Sequence, residues 1–279
     1  MDPVIHDAFT QGTLTHDTLI LSDVHLGSDC SRAREATCVL RENRFRRLVL
    51  LGDIFADLNF GRLTKEHWRF LGHIRKLSNP KRGVEVVWVE GNHDHGLTDI
   101  MSHLVGVKVY EEYSWEYQGV KHTAIHGHQF DRFIVSNLRT NYLMTLIYLQ
   151  VQKLDVKGKP IARLIDRMNT RWLRMSEKVA AGAFVHARSR GASRIFCGHT
   201  HAAMRREQSG ITYYNTGAWV DERPTYVVIN EEGVQIHEYS ERTDDRDSGK
   251  ERSETDSALV VLAGDAGLSA DFEYQGAGR

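Results

Sequence analysis

Five short apolar runs recur along the chain, and each stops at a small group of reactive residues. Thr18–Ser22 ends at Asp23, Arg47–Leu51 at Gly52-Asp53, and Val84–Val89 just before Gly91-Asn92. His122–Ile125 leads into His126, and Arg194–Cys197 into Gly198-His199. Runs this short do not by themselves separate a buried strand from a buried helix. Their flanking glycines and β-branched content predict strands. Between them, Arg32–Asn43 and Leu63–Leu77 have helical composition. The alternation predicts an α/β protein. In open α/β sheets, sites form outside the carboxyl ends of the strands, so the clusters are expected to converge on one edge of a sheet.

The clusters are Asp23-x-His25, Gly52-Asp53, Gly91-Asn92-His93-Asp94, His126-Gly-His128, Gly198-His199-x-His201 and Asn215-Thr-Gly. Turn chemistry explains each Gly-Asp or Gly-Asn, but not the His or Asp that accompanies it each time. Spacing i, i+2 at a strand end points both side chains the same way. Asp23, Asp53, Asn92 and the imidazoles of His25, His126, His199 and His201 supply enough nitrogen and oxygen donors for two metals, with Asp53 able to span both. Mixed N/O sites suit Mn, Fe, Zn or Ni rather than Ca, and the lack of cysteine argues against a structural zinc site of the finger type. Two such ions, about 3.5–4 Å apart, clamp an in-line displacement at phosphorus and supply hydroxide near neutral pH. His93 then points at the leaving group, and Asp94 is expected to orient it and hold it protonated. His95 is given no function.

Residues 132–190 break the alternation. They read as helical and carry twelve Lys/Arg against three acids (Asp155, Asp166, Glu177). Arg163, Arg167, Arg171, Arg174 and Lys178 recur on one helical face, while Ile161, Leu164, Ile165, Met168, Trp172, Met175 and Val179 line another. A basic face is ordinarily only a solvated one, yet this excess suits an anionic substrate or an anionic membrane surface. Tyr142–Val151 is apolar nearly all round and too short to span a bilayer. It reads as a core helix, or as an acyl-chain groove or membrane-contacting surface.

The 279 residues, 41% hydrophobic and 26% charged, suit one large α/β domain with an insertion, or two small domains. A net charge of −1 carries no global signature of nucleic-acid binding. Cys30, Cys38 and Cys197 form no C-x-x-C pair, so a reducing cytoplasm is expected rather than a disulfide framework. The N-terminus lacks the basic and apolar regions of a signal peptide. The expected organisation is an extension over 1–17, a domain over 18–240 and a polar, disordered tail over 241–279.

The ordered blocks D-x-H, GD, GNHD, HGH and GHTH resemble the calcineurin-like metallophosphoesterase superfamily over residues 18–240. The resemblance implies a two-sheet β-sandwich flanked by helices, with a dinuclear site at the strand ends. It implies Asp23, His25 and His201 on one metal, Asn92, His126 and His199 on the other, Asp53 bridging, and His93 as general acid. The two divalent ions are expected to be Mn2+, with Fe or Zn as alternatives. Gly52-Asp53 is not followed by the Tyr-Val-Asp-Arg-Gly of protein Ser/Thr phosphatases. Within the superfamily the chain is similar to the UDP-2,3-diacylglucosamine diphosphatases of lipid A synthesis. The similarity rests on Leu51-Gly-Asp-Ile-Phe-Ala-Asp57, the basic insertion after His126-Gly, and Gly217-Ala-Trp219. It implies cleavage of the pyrophosphate of a UDP-sugar lipid, a phosphorylated glycolipid partner bound by Arg163, Arg167, Arg171 and Arg174, and peripheral attachment to the inner face of the cell membrane. That group has GNRD where this chain has His93, and HGD where it has His128. A phosphodiesterase or nucleotidase for a soluble nucleotide is the alternative within the class, and a non-catalytic scaffold the alternative outside it.

Overall fold

The structure is a computed structural model and describes residues 15–57, 59–96, 102–103, 105–131 and 170–240. The runs read from sequence are strands. β1 (Thr15–Leu21), β2 (Arg44–Leu51), β3 (Glu85–Val89) and β4 (Lys108–Tyr110) lie parallel. β10 (Thr225–Asn230) and β11 (Gly233–Glu238) return antiparallel on the far side of β1, giving the order β11-β10-β1-β2-β3-β4. A second sheet joins β5 (Glu112–Tyr117), β6 (Val120–Ile125), β7 (Arg194–Cys197), β8 (Met204–Gln208) and β9 (Ile211–Asn215) in the order β5-β6-β7-β9-β8. β6, β7 and β9 run parallel at its centre. The β5–β6 hairpin turns on Gln118-Gly119, both at positive φ, the two-residue turn whose twist matches paired strands.

Residue alternation sorts the core into layers. Leu19 and Leu21 of β1 and Leu48 and Leu50 of β2 face α1 (Ala33–Glu42) and α2 (Lys65–Leu77). Ile20, Val49 and Leu51 point the other way, onto Trp115, Ala124, Phe196 and Tyr214 of the second sheet. Ile195, Cys197, Ile211 and Tyr213 pack on the outer helix α3 (Thr170–Arg190) through Ala180, Ala183, Phe184 and Ala187. Each fully buried Leu or Ile contributes about 2 kcal/mol. The α/β class and the two-sheet sandwich flanked by helices are thus the architecture observed.

Two expectations change. The reactive clusters do not share one sheet edge: those after β1, β2 and β3 belong to the first sheet, and those after β6, β7 and β9 to the second. The site lies where the two sheets' strand ends meet. β1 also begins at Thr15, so the sheet includes the end of the segment expected to be an extension. Among the described residues, no helix is long and apolar enough to cross a membrane.

Candidate active site

The loops leaving β1 and β2 run side by side. Asp23 N donates to Gly52 O (3.0 Å), His25 N to Asp53 O (3.1 Å) and Leu26 N to Ile54 O (2.7 Å). Asp23, His25, Asp53, His199 and His201 all have positive φ, from +49° to +66°. A left-handed backbone costs a non-glycine residue about 1–2 kcal/mol. Among the described residues only Gln118 and Ser209 share it without being site residues. Such strain clusters where the surrounding structure imposes a functional geometry. It also corrects the strand-end argument. β1 stops at Leu21, and Asp23 and His25 converge because both are left-handed, not because a pleat alternates.

Asp53 is the hub. Its Oδ1 accepts from His93 N at 2.8 Å, and its Oδ2 lies 3.2 Å from His126 Nε2 and 4.0 Å from His93 Nε2. Asp23 Oδ2 accepts from His199 N at 3.1 Å, while Oδ1 lies 3.3 Å from His201 Nε2 and 3.8 Å from His25 Nε2. The Nε2 atoms of His25 and His201 are 3.2 Å apart. Three groups hold donor atoms close enough to share an ion: Asp23 with His25 and His201, Asp53 with His126 and His199, and His25 with Asp53 and His93. Backbone carbonyls orient two of these rings. Leu51 O accepts from His126 Nδ1 at 3.0 Å, and Ala56 O from His93 Nδ1 at 2.7 Å, so both rings turn Nε2 inward.

Burial disfavours charge on these side chains, and their mutual attraction outweighs it at several. Burial works to lower the His126 pKa, but Asp53 and Asp23 hold it up at about 10. Burial likewise opposes the charge on His201, and Asp23 raises it to about 9. His25 falls to about 3, through burial and the charge of His201. Asp53 stays well below the usual carboxylate range despite its burial, because His126 and His93 face it.

Asp23 Oδ1, Asn92 Oδ1 and His126 Nε2 are among the buried side-chain polar atoms that make no hydrogen bond, although Asp23 Oδ1 lies 3.3 Å from His201 Nε2 and His126 Nε2 lies 3.2 Å from Asp53 Oδ2. Buried polar atoms are seldom left so, and each exception calls for an explanation. All three belong to clusters read as ligands, and all are nitrogen or oxygen donors without a thiol among them. The set fits divalent transition-metal ions.

A family model described as the calcineurin-like phosphoesterase superfamily domain matches residues 17–233. The chain belongs to this superfamily. Its members are generally metal-dependent hydrolases. Solved structures similar to this chain include a Vps29 single mutant from Entamoeba histolytica, with 16% identity over 80% of this chain and 91% of that one, TM-score 0.42. A predicted phosphoesterase from Streptococcus pneumoniae shares 16% identity over 80% and 88% of the two chains, TM-score 0.38. A novel archaeal phosphodiesterase shares 14% over 80% and 99%, TM-score 0.44. No curated protein is significantly similar to the chain.

Most of the residues singled out from sequence meet at this cluster. Asp94 is there in a different role. Its Oδ1 accepts from Phe55 N (2.9 Å), and its Oδ2 from Ile54 N (3.1 Å) and Trp88 Nε1 (3.5 Å). The Ala56 carbonyl, not Asp94, orients His93. Asp94 braces the loop behind Asp53, and burial and then the Asp53 charge push its pKa up to about 6. His95 is exposed and pairs with Glu90, 3.2 Å away. Arg163 and Arg167 lie outside the described residues, as do Tyr142–Val151 and 241–279. Arg171 and Arg174 are in α3, but their side chains are outside the described part. Lys178 is exposed.

Sequence reasoning missed several braces. Asn215 Nδ2 donates to Gly198 O (2.6 Å) and Thr200 Oγ1 (3.0 Å), and its Oδ1 accepts from Gly217 N (3.0 Å), so it pins the His199–His201 loop. Trp219 N donates to Asp23 O (3.0 Å) and Trp219 O accepts from Arg32 N (2.9 Å), which gives Gly217-Ala-Trp219 a bracing function. The glycines of two motifs are steric necessities. A Cβ at Gly91 would sit 2.2 Å from Asp53 N and Oδ1, and one at Gly198 would sit 2.3 Å from Asp23 Oδ2. Gly91→Ala is expected to lower hydrolysis of bis-p-nitrophenyl phosphate by about 100-fold or more, the usual effect of a displaced reacting geometry. Wild-type turnover in Gly91→Ala would show that Asp53 needs no fixed position.

Proposed function

We propose that the chain is a metal-dependent phosphodiesterase or pyrophosphatase acting on a bulky anionic substrate of the UDP-diacylglucosamine type. The observation that carries the hydrolase reading is the convergence of buried nitrogen and oxygen donors on the Asp23 and Asp53 carboxylates, in three groups close enough to share an ion. Asp23, His25 and His201 would hold one divalent ion, and Asn92, His126 and His199 a second, with Asp53 between them. Bound ions would supply Lewis acidity at phosphorus and acidify an attacking water.

The chain's own groups complete the reaction. Asp53 keeps its negative charge because His126 and His93 face it. The backbone holds His93 through Nδ1 and leaves Nε2 turned to the site. As water adds to phosphorus it gives up a proton to bulk solvent, and the bond from phosphorus to the leaving oxygen breaks. His93 Nε2 gives that oxygen a proton. His93→Ala is therefore expected to cost about 100- to 10,000-fold with alkyl or sugar-phosphate leaving groups, and far less with p-nitrophenolate, which departs without protonation. Equal losses across leaving groups would remove His93 from the proton-transfer role.

The finer substrate reading is supported by the Leu51–Asp57 block, the basic composition of 132–190 and Gly217-Ala-Trp219. GNHD and HGH depart from the diphosphatase pattern at His93 and His128. The deciding experiment strips the protein with chelator and reloads it with Mn2+, Fe2+ or Zn2+. It then compares bis-p-nitrophenyl phosphate, UDP-2,3-diacylglucosamine in detergent, and simple nucleotides. The expected result is metal-dependent turnover with the glycolipid preferred. Preference for nucleotides would move the substrate to the soluble class. No bound metal and no turnover would leave a scaffold.

A further inference from the structure

Asp131 has no place in the superfamily blocks read from sequence, yet it is buried. Carboxylates are rarely buried unless paired. Its Oδ2 lies 3.6 Å from His199 Nε2, and both side chains are only 5% exposed. That separation is too long for a good hydrogen bond, but charge interactions strengthen away from water. The fold places this carboxylate through two independent contacts. Phe130 N donates to Gly127 O (3.0 Å) and Asp131 N to His128 O (3.0 Å), closing the turn that begins at His126. Phe130 lies directly on α3, where a Cβ at Gly182 would come within 2.7 Å of it. Phe130 also packs on the His186 ring, whose Nε2 is 2.6 Å from Glu112 Oε2 of β5. The turn is thus held between α3 and the second sheet.

We propose that Asp131 is a positioning residue for His199, an outer carboxylate that faces Nε2 and fixes the orientation of this ring so that Nδ1 is left for metal binding. The inference rests on the reading of this site as a metal centre. A carboxylate facing the ring of a ligating histidine sets its tautomer and raises its basicity, and losing it typically costs about 10- to 100-fold in metal affinity. The residue also joins the entry of the 132–190 segment to the centre, since it directly precedes that segment and α3 returns against the same turn.

The test compares wild type, Asp131→Asn and Asp131→Glu, all stripped by chelator and titrated with Mn2+ by calorimetry, with melting of the metal-free proteins alongside. Asp131→Asn is expected to weaken one of two Mn2+ equivalents by about 10- to 100-fold and leave the other unchanged. Its metal-free melting temperature is expected to match wild type, which a merely structural residue would not give. Asp131→Glu keeps the charge on a longer arm and is expected to weaken the same equivalent by less. If the Asn variant does not fold, the Glu variant carries the test. Wild-type affinity for both equivalents in the variants that fold overturns the inference alone. A wild type that binds no Mn2+ overturns the metal-centre reading and this inference with it.

Discussion

Asp53→Asn is expected to abolish turnover, lowering kcat/KM by at least about 1,000-fold, or about 4 kcal/mol of transition-state stabilisation. The amide keeps an oxygen for His93 N, which Asp53 Oδ1 accepts at 2.8 Å. The backbone bond from His25 N to the residue 53 carbonyl is untouched. The loop therefore keeps its brace while the hub loses its charge. That charge is what opposes burial at His126, so the ring should revert toward neutrality. An amide is also a poor bridge between two cations, because one oxygen carries all its donor capacity and no net charge. Loss of activity should coincide with loss of at least one metal equivalent by elemental analysis. Retention of more than about a tenth of wild-type kcat/KM with full metal content would exclude Asp53 as the bridge.

The sequence made the donors legible, but not what holds them. Apolar runs that stop at Asp23, Asp53, His126 and His199 are visible because strand burial demands consecutive Leu, Ile and Val. Those at β1 and β2 run as unbroken apolar stretches, as strands covered on both faces should. The helices over 33–42 and 65–77 were equally legible, from composition alone. The division of the donors between two sheets was not, because a parallel run carries no mark of which neighbour it joins. Nor was the left-handed backbone at Asp23, His25, Asp53, His199 and His201. Asp and His are both enriched there over most residues, but each is far commoner in ordinary backbone, so neither residue type announces it.

Roles that depend on contacts distant in sequence were the least readable. Asp94 follows His93 directly, which suggests a pair. The structure turns it to the backbone of Ile54 and Phe55 some forty positions earlier, because the loop behind Asp53 has buried N–H groups to satisfy. Asn215 had a place in the motif order but no role, and only the fold shows its amide serving Gly198 and Thr200. Asp131 had no signal except its distance of five residues from His126, and only the fold brings it to His199. Donor identity is thus local information, whereas the bracing of donors is set by topology.

Metal binding is expected to release protons and to tighten as pH rises. Before any ion binds, Asp23 and Asp53 hold His201 and His126 protonated, at about 9 and about 10. An imidazole must lose a proton before it can ligate. Between the ordinary histidine value near 6.5 and about 9, each proton displaced should weaken apparent affinity roughly tenfold per unit of falling pH. The metal-free protein should respond in the opposite sense. A histidine whose folded pKa lies above its unfolded one stabilises fully below the unfolded value, and that contribution is lost as pH rises through the folded value. Metal-free stability should therefore fall from pH 6.5 toward 9, as Asp23 and Asp53 lose their cationic partners, while Mn2+ affinity climbs. The gain in melting temperature on adding Mn2+ should be larger at pH 8.5 than at pH 6.5. Calorimetry in buffers of different ionisation enthalpy should count about one proton released per ion. An Mn2+ affinity that stays constant across that window, with no buffer-dependent heat, would mean that His126 and His201 are not the groups the ions displace protons from.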